Sequence, residues 1–192
     1  MLHRLIVNWV YGGFLAGVLL LLLTPLLTQS WSTALVATFL HLPIYMFHQY
    51  EEHDNDRFRI FFNKTIGKDQ EVLSPLVVFI TNVPGVWGVI GASLYLALKV
   101  NIGFSLIAIY LVIVNAIVHI IHAFIFRGYN PGLGTAITLF IPLAAFSFWQ
   151  VQLAGGSTIF YHTLGLAIAV SIHAAILVHV YCQQNLKTSA KI

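Results

Sequence analysis

The stretch 104-FSLIAIYLVIVNAIVHIIHAFIF-126 contains no Asp, Glu, Lys or Arg. A helix needs ~20 apolar residues to cross the hydrocarbon core of a bilayer, and this run is long enough. Its polar residues are few and ordered. Asn115, His119 and His122 are spaced four and then three apart, which puts them on one face of a helix. Ionisable groups at membrane depth are costly and usually face a bundle interior, so this helix needs partners.

Working outward, comparable runs cover residues 5–27, 33–50, 74–98, 132–153 and 158–181. Only 8% of the residues are charged and the mean hydropathy is +0.88. A soluble domain carries about 25% charged residues, so too little polar material is present for a water-facing surface. The runs are continuous rather than alternating, which rejects a β-barrel. The first run follows Arg4, exceeds a signal-peptide core of about 7–15 residues and lacks an A-x-A cleavage signal, so a mature helix is expected. The reading is an all-α, polytopic bundle of about six transmembrane helices, a single integral membrane domain over 1–192.

Lys and Arg set the expected orientation. With six spans, one side holds Arg4, Arg57, Arg59, Lys64, Lys68, Arg127, Lys187 and Lys191, and the other only Lys99. Both termini are therefore expected in the cytoplasm, in the inner membrane if the chain is bacterial. The pI of about 9.1 fits anionic lipid headgroups. No basic groove with stacking aromatics is visible, so nucleic acid is not an expected partner. Cys182 is the single cysteine, which excludes an internal disulfide.

Every acidic residue falls between Glu51 and Glu71. Within residues 51–73, Phe58, Ile60, Phe61 and Phe62 alternate with Arg57, Arg59 and Lys64, as expected for a segment resting on the inner leaflet. The second run ends HQYEEH at residues 48–53. His48, Glu51 and Glu52 share a helix face, with His41 two turns earlier on nearly the same face. A His with carboxylates at this spacing can chelate a metal ion, and it resembles in reversed order the Glu-x-x-His pairs of di-iron bundles. His119 and His122 approach the same depth, and His173 follows the small-residue stripe of Gly165 and Ala169. His3 and His53 read as surface residues, and His162 as too far toward the outer end.

Ser74 and Pro75 read as the N-cap and first turn of the third helix. Asn82, just before Pro84, is either a site residue or a partner for the kink that proline imposes. In the turn Arg127-Gly128-Tyr129-Asn130-Pro131-Gly132, Asn130 can cap the fifth helix, and Arg127 with the helix start can face an anionic substrate group.

His48-x-x-Glu51-Glu52, the Asn115/His119/His122 face and the Tyr129-Asn130-Pro131-Gly132 turn together resemble the HXXEE-domain family of small membrane proteins, over roughly residues 35–180. The resemblance implies no reaction of its own. CAAX-protease-like membrane proteins have an arginine four residues after the second of two adjacent glutamates. Here that position is Asp56, with Arg57 one later. Membrane fatty-acid hydroxylases need several His boxes, of which only His119-x-x-His122 is present.

The expected function is a metal-dependent membrane enzyme. Its ligands would be His48, Glu51 or Glu52, His119 and His122, with His173 as a further candidate, holding Zn, Fe or Mn. The glutamate that does not bind metal would be the general base. His41, Asn82, Asn115, Arg127, Tyr129 and Asn130 would orient ligands or a lipid or other amphiphilic substrate. Hydrolysis is the leading reaction, and di-iron oxidation the first alternative. A proton- or cation-coupled transporter or a structural subunit are further alternatives.

Overall fold

Hydropathy and period 3.6 translate directly into helices. The computed structural model of the chain describes residues 2–189, and among these there is helix and turn but no strand. The helices are α1 (Leu2–Leu27), α2 (Thr33–His53), α3 (Arg57–Thr65), α4 (Pro75–Lys99), α5 (Ser105–Phe126), α6 (Leu133–Leu153) and α7 (Ile159–Ser189). Among the described residues, α1, α4, α5, α6 and α7 belong to stretches long and apolar enough to cross a membrane. The chain is a polytopic all-helical membrane protein. Lys191 lies outside the described residues.

α2 has 21 residues, ~31 Å at 1.5 Å per residue. It is long enough to span, but His41, His48, Gln49, Glu51 and Glu52 keep it below the hydropathy of the other five. The bundle resolves this by enclosing it: twelve of its residues are buried. It packs against α1, α4, α5 and α6. The outer helices invert the soluble pattern. On α1, Leu15, Leu19, Leu22 and Leu26 recur at helical spacing and are all exposed, as a lipid-facing stripe should be.

The core between α2, α4, α5 and α6 is built on Ile90, Leu106, Ile109, Leu111, Val112 and Phe140, all fully buried. α7 lies along α5. Close approach there requires Gly165, because a Cβ would sit 2.7 Å from the Leu106 carbonyl oxygen. Ala169, one turn on, is fully buried, so the small-residue stripe read in the sequence is a packing seam.

One end of the bundle carries α3 and its flanking turns. Tyr11 of α1 donates to Asp54 after α2 (3.2 Å), Tyr129 after α5 donates to Glu51, and Lys187 of α7 donates to the Glu71 carbonyl (2.6 Å). α3 turns Phe62 inward beneath Val72, Leu73 and Val180. Arg59 bridges Asp56 and Glu71 on the wet side. Ser74 caps α4 by accepting from the Val77 amide (3.3 Å), with Pro75 next, as the sequence predicts. Pro84 lacks an amide hydrogen, and the helix widens into a π-turn over Thr81–Trp87.

Candidate functional site

Three elements meet at the α3 end: the last turns of α2, the last turns of α5, and the start of α6. His48 and Glu52 lie four apart on α2 and so share a face. His119 of α5 completes the group. All three are buried, and one ligand atom from each lies within 4.8 Å of the others. Glu52 Oε1 is 3.0 Å from His119 Nε2, and Glu52 Oε2 is 3.4 Å from His48 Nε2.

The second nitrogen of each ring fixes its tautomer. Thr135 Oγ1 donates its proton to Glu51 Oε2, so the hydroxyl oxygen accepts from His48 Nδ1–H at 2.8 Å. The Asn130 amide donates to the His119 carbonyl oxygen (2.9 Å), which turns Asn130 Oδ1 toward His119 Nδ1 at 2.7 Å. A carbonyl oxygen only accepts, so Nδ1 carries that hydrogen as well. When neutral, both imidazoles thus present a bare Nε2 to Glu52; His48 Nε2 has no hydrogen-bond partner, while a proton on His119 Nε2 would be donated to Glu52 Oε1 across 3.0 Å. Nitrogen lone pairs facing a carboxylate repel unless a cation or proton lies between. An ion bound tetrahedrally at ~2.0–2.2 Å holds its ligand atoms roughly 3.3–3.6 Å apart; the His48 contact, at 3.4 Å, is in that range and the His119 contact, at 3.0 Å, is shorter. Two imidazoles and one carboxylate, each ring oriented through its far nitrogen, fit a transition metal.

The two adjacent glutamates part company. Glu51 faces the start of α6, where its Oε1 accepts from Tyr129 (2.7 Å) and the Gly134 amide (3.0 Å). Its Oε2 accepts from the Thr135 amide (2.6 Å) and hydroxyl. It therefore caps α6 and lies outside the converging ligand atoms. Four donors thus occupy the carboxylate that the sequence offered as ligand or general base. Partial burial first, and the bond to Glu51 second, push the Tyr129 phenol up to about 12. It stays a donor at every pH the protein meets.

The turn after α5 also departs from expectation. Asn130 is drawn from the cap position to His119, and Glu51 serves the helix start instead. Arg127 ends α5 in a left-handed conformation (φ 51°) and is exposed. A helix start already filled by a carboxylate would repel the anionic group expected there. Gly132, at φ 98°, lets the backbone pass against Glu52, His119 and His48.

The other expected residues divide. His122, His173, Asn115 and Asn82 line a cavity of about 320 Å³ that opens from Glu52 and His119 between α4, α5 and α7. His173 Nδ1 donates to the Ala169 carbonyl (2.8 Å), so His173 lies on the wall and not among the converging ligands. His122 likewise stands apart from them. His41 is fully buried, donates to the Ala37 carbonyl (2.9 Å) and lies off the cavity.

His53 was expected at the surface, yet it is buried, 3.4 Å from Glu52 Oε2. Gln49 and Trp87 carried no expectation either. Trp87 Nε1 can only donate, and it does so to Gln49 Oε1 (2.6 Å). Gln49 Nε2 then donates to Asn82 Oδ1 (2.9 Å). Asn82 Nδ2 donates to the Val78 carbonyl and faces His53 Nε2 at 3.3 Å. Asn82 is thus the link between the π-turn of α4 and the Glu52 neighbourhood. The signal available was Gln49 itself, an uncharged polar residue one position after His48 in the polar last turns of α2.

A family model described as a protein of unknown function with an HXXEE motif matches residues 39–147, over half of the chain. The match includes His48, Glu51, Glu52, His119, Asn130 and Thr135. No curated protein and no solved structure matches the chain.

Proposed function

We propose a function for this chain, which belongs to the HXXEE-motif family: it is a membrane-embedded, metal-dependent hydrolase acting on a lipid or other amphiphile. One observation carries the reading. His48 and His119 are each held by a partner on Nδ1, so both direct Nε2 at Glu52. Such a set is costly in a bilayer unless a cation or shared protons satisfy it, and one bound cation satisfies all three groups at once.

A bound Zn, Fe or Mn ion would supply Lewis-acid polarisation and a nucleophile from water at neutral pH. His48, Glu52 and His119 would hold it and leave a fourth position open toward the cavity, the arrangement of catalytic rather than structural zinc. Glu51 and Thr135 would keep His48 in register, and Asn130 would do so for His119. With Glu51 engaged, His122 on the cavity wall, whose Nδ1 has no partner, is the proposed proton acceptor. The apolar lining of the cavity supports a substrate with a hydrocarbon part.

Two His and one carboxylate are also the ligand set of mononuclear non-haem iron oxygenases, which keeps oxidation as the second reading. A di-iron centre is less well supported, because Glu51 is committed elsewhere and one carboxylate remains. Thr135→Val removes the acceptor from His48 Nδ1. It is expected to weaken metal binding ~10–100-fold while the protein stays folded, as loss of an outer partner typically does. Unchanged affinity, titrated with Zn in detergent-purified protein, would argue against His48 as a ligand.

We also propose six spans with the α3 end in the cytoplasm, from the Lys/Arg asymmetry. Single cysteines near Lys64 should react with membrane-impermeant reagents only from the cytoplasmic side, and near Lys99 only from the opposite side. Reaction of both from one side would overturn that orientation.

A further inference from the structure

We propose that the cavity admits a single-chain amphiphile directly from the bilayer, between α4 and α7, and selects one bearing a hydroxyl or amide N–H beside its reactive group. This rests on the reading above for where the polar end sits, but its entry route and donor preference are separate claims.

The entry route follows from what closes the cavity and what does not. At the α3 end it is sealed. Val180 packs with Phe62, Val72 and Leu73, Gln184 donates to the Ile66 carbonyl (2.6 Å), and Lys187 donates to the Glu71 carbonyl. Farther into the bundle the walls come from Val77 and Thr81 of α4 and from Ile176 and Leu177 of α7. On the α7 side of that opening the wall residue Leu177 is itself 56% exposed. The cavity therefore reaches hydrocarbon sideways. At about 320 Å³ it lies at the low end of the ~300–1,000 Å³ typical of small-molecule sites, room for one chain and a small head.

The donor preference follows from the cavity's hydrogen-bonding inventory. The Ala169 carbonyl can only accept, so His173 Nδ1 carries the hydrogen and its Nε2 is left as an acceptor. Asn115 Oδ1, on the same α5 face as His119 and one turn farther in, is buried without a partner. These acceptors lie along the wall between the Glu52 end and the apolar mouth. A hydrocarbon or a simple ester would leave them unpaired, which is the stronger form of discrimination a binding site can make. A hydroxyl or amide N–H would satisfy them.

The test uses full-length protein in lipid nanodiscs and two photoreactive probes with a diazirine in the same alkyl chain. One is a monoacylglycerol with free hydroxyls, and the other the corresponding methyl ester. Crosslinks are located by mass spectrometry. The monoacylglycerol is expected on Val118, Ile172 and Ile176, well above the methyl ester. Ile176→Trp should cut those crosslinks about tenfold by filling the mouth, at unchanged metal content. His173→Leu should narrow the difference between probes. Crosslinks scattered over the outer face of α1, or an Ile176→Trp protein labelled like wild type, would overturn the proposal. A wild-type protein that is metal-free but labelled at the cavity supports the amphiphile site and removes only the metal reading.

Discussion

Glu52→Ala is expected to abolish metal binding. The carboxylate is the one group that both Nε2 atoms face, and its loss should weaken affinity by more than about 100-fold, beyond the ~10–100-fold typical of outer partners. His48→Ala and His119→Ala should do the same, because two remaining ligands do not hold a transition metal tightly. His122→Ala and His173→Ala should retain the metal, since their rings line the cavity without joining the converging atoms. Metal content in folded, detergent-purified protein separates the groups. Retention of metal by Glu52→Ala, or its loss from His173→Ala, would redraw the ligand set.

Gly132→Ala should be nearly as damaging without altering a single proposed ligand. At φ 98° an L-residue carries a strain of ~1–2 kcal/mol. The added Cβ would lie 2.6 Å from Glu52 Cγ, 2.7 Å from His119 Cε1 and 2.9 Å from His48 Cε1. All three ligand side chains would have to move, and overpacking of this kind costs a further ~1–3 kcal/mol. The expected outcome is lost metal and a lower unfolding temperature. Gly128→Ala, whose Cβ would meet nothing nearer than the Phe126 carbonyl oxygen at 3.9 Å, is the control and should behave as wild type. Normal metal content in Gly132→Ala would mean that the turn after α5 does not press on the site.

The helices were legible because lipid imposes a simple rule. Residues 104–126 read as a span from composition alone, and α5 covers almost that range. The His48, Glu52 and His119 convergence was also within reach, since i, i+4 spacing and matched depth depend only on helix geometry.

What stayed hidden needed tertiary partners. Glu51 and Glu52 are neighbours in sequence but about 100° apart around the helix, and only the free amides at the start of α6 decide which one turns away. Asn130 follows the capping rule in sequence, but buried His119 competes for it and wins. His53 looked like a surface residue because it ends the helical motif and is followed by the charged segment from Asp54 on. Helical bonding continues through the Asp54 amide, which donates to the Tyr50 carbonyl, and this carries His53 inside. The Trp87–Gln49–Asn82 chain joins residues more than thirty apart, with no local periodicity to announce it.

The most direct measurement is the metal content of the folded wild-type protein after incubation with Zn, Fe and Mn in turn and removal of free ions. The account predicts about one tightly held ion per chain, as expected for a single cluster of three ligands with an open position. Folded wild-type protein that stays metal-free with all three would contradict it.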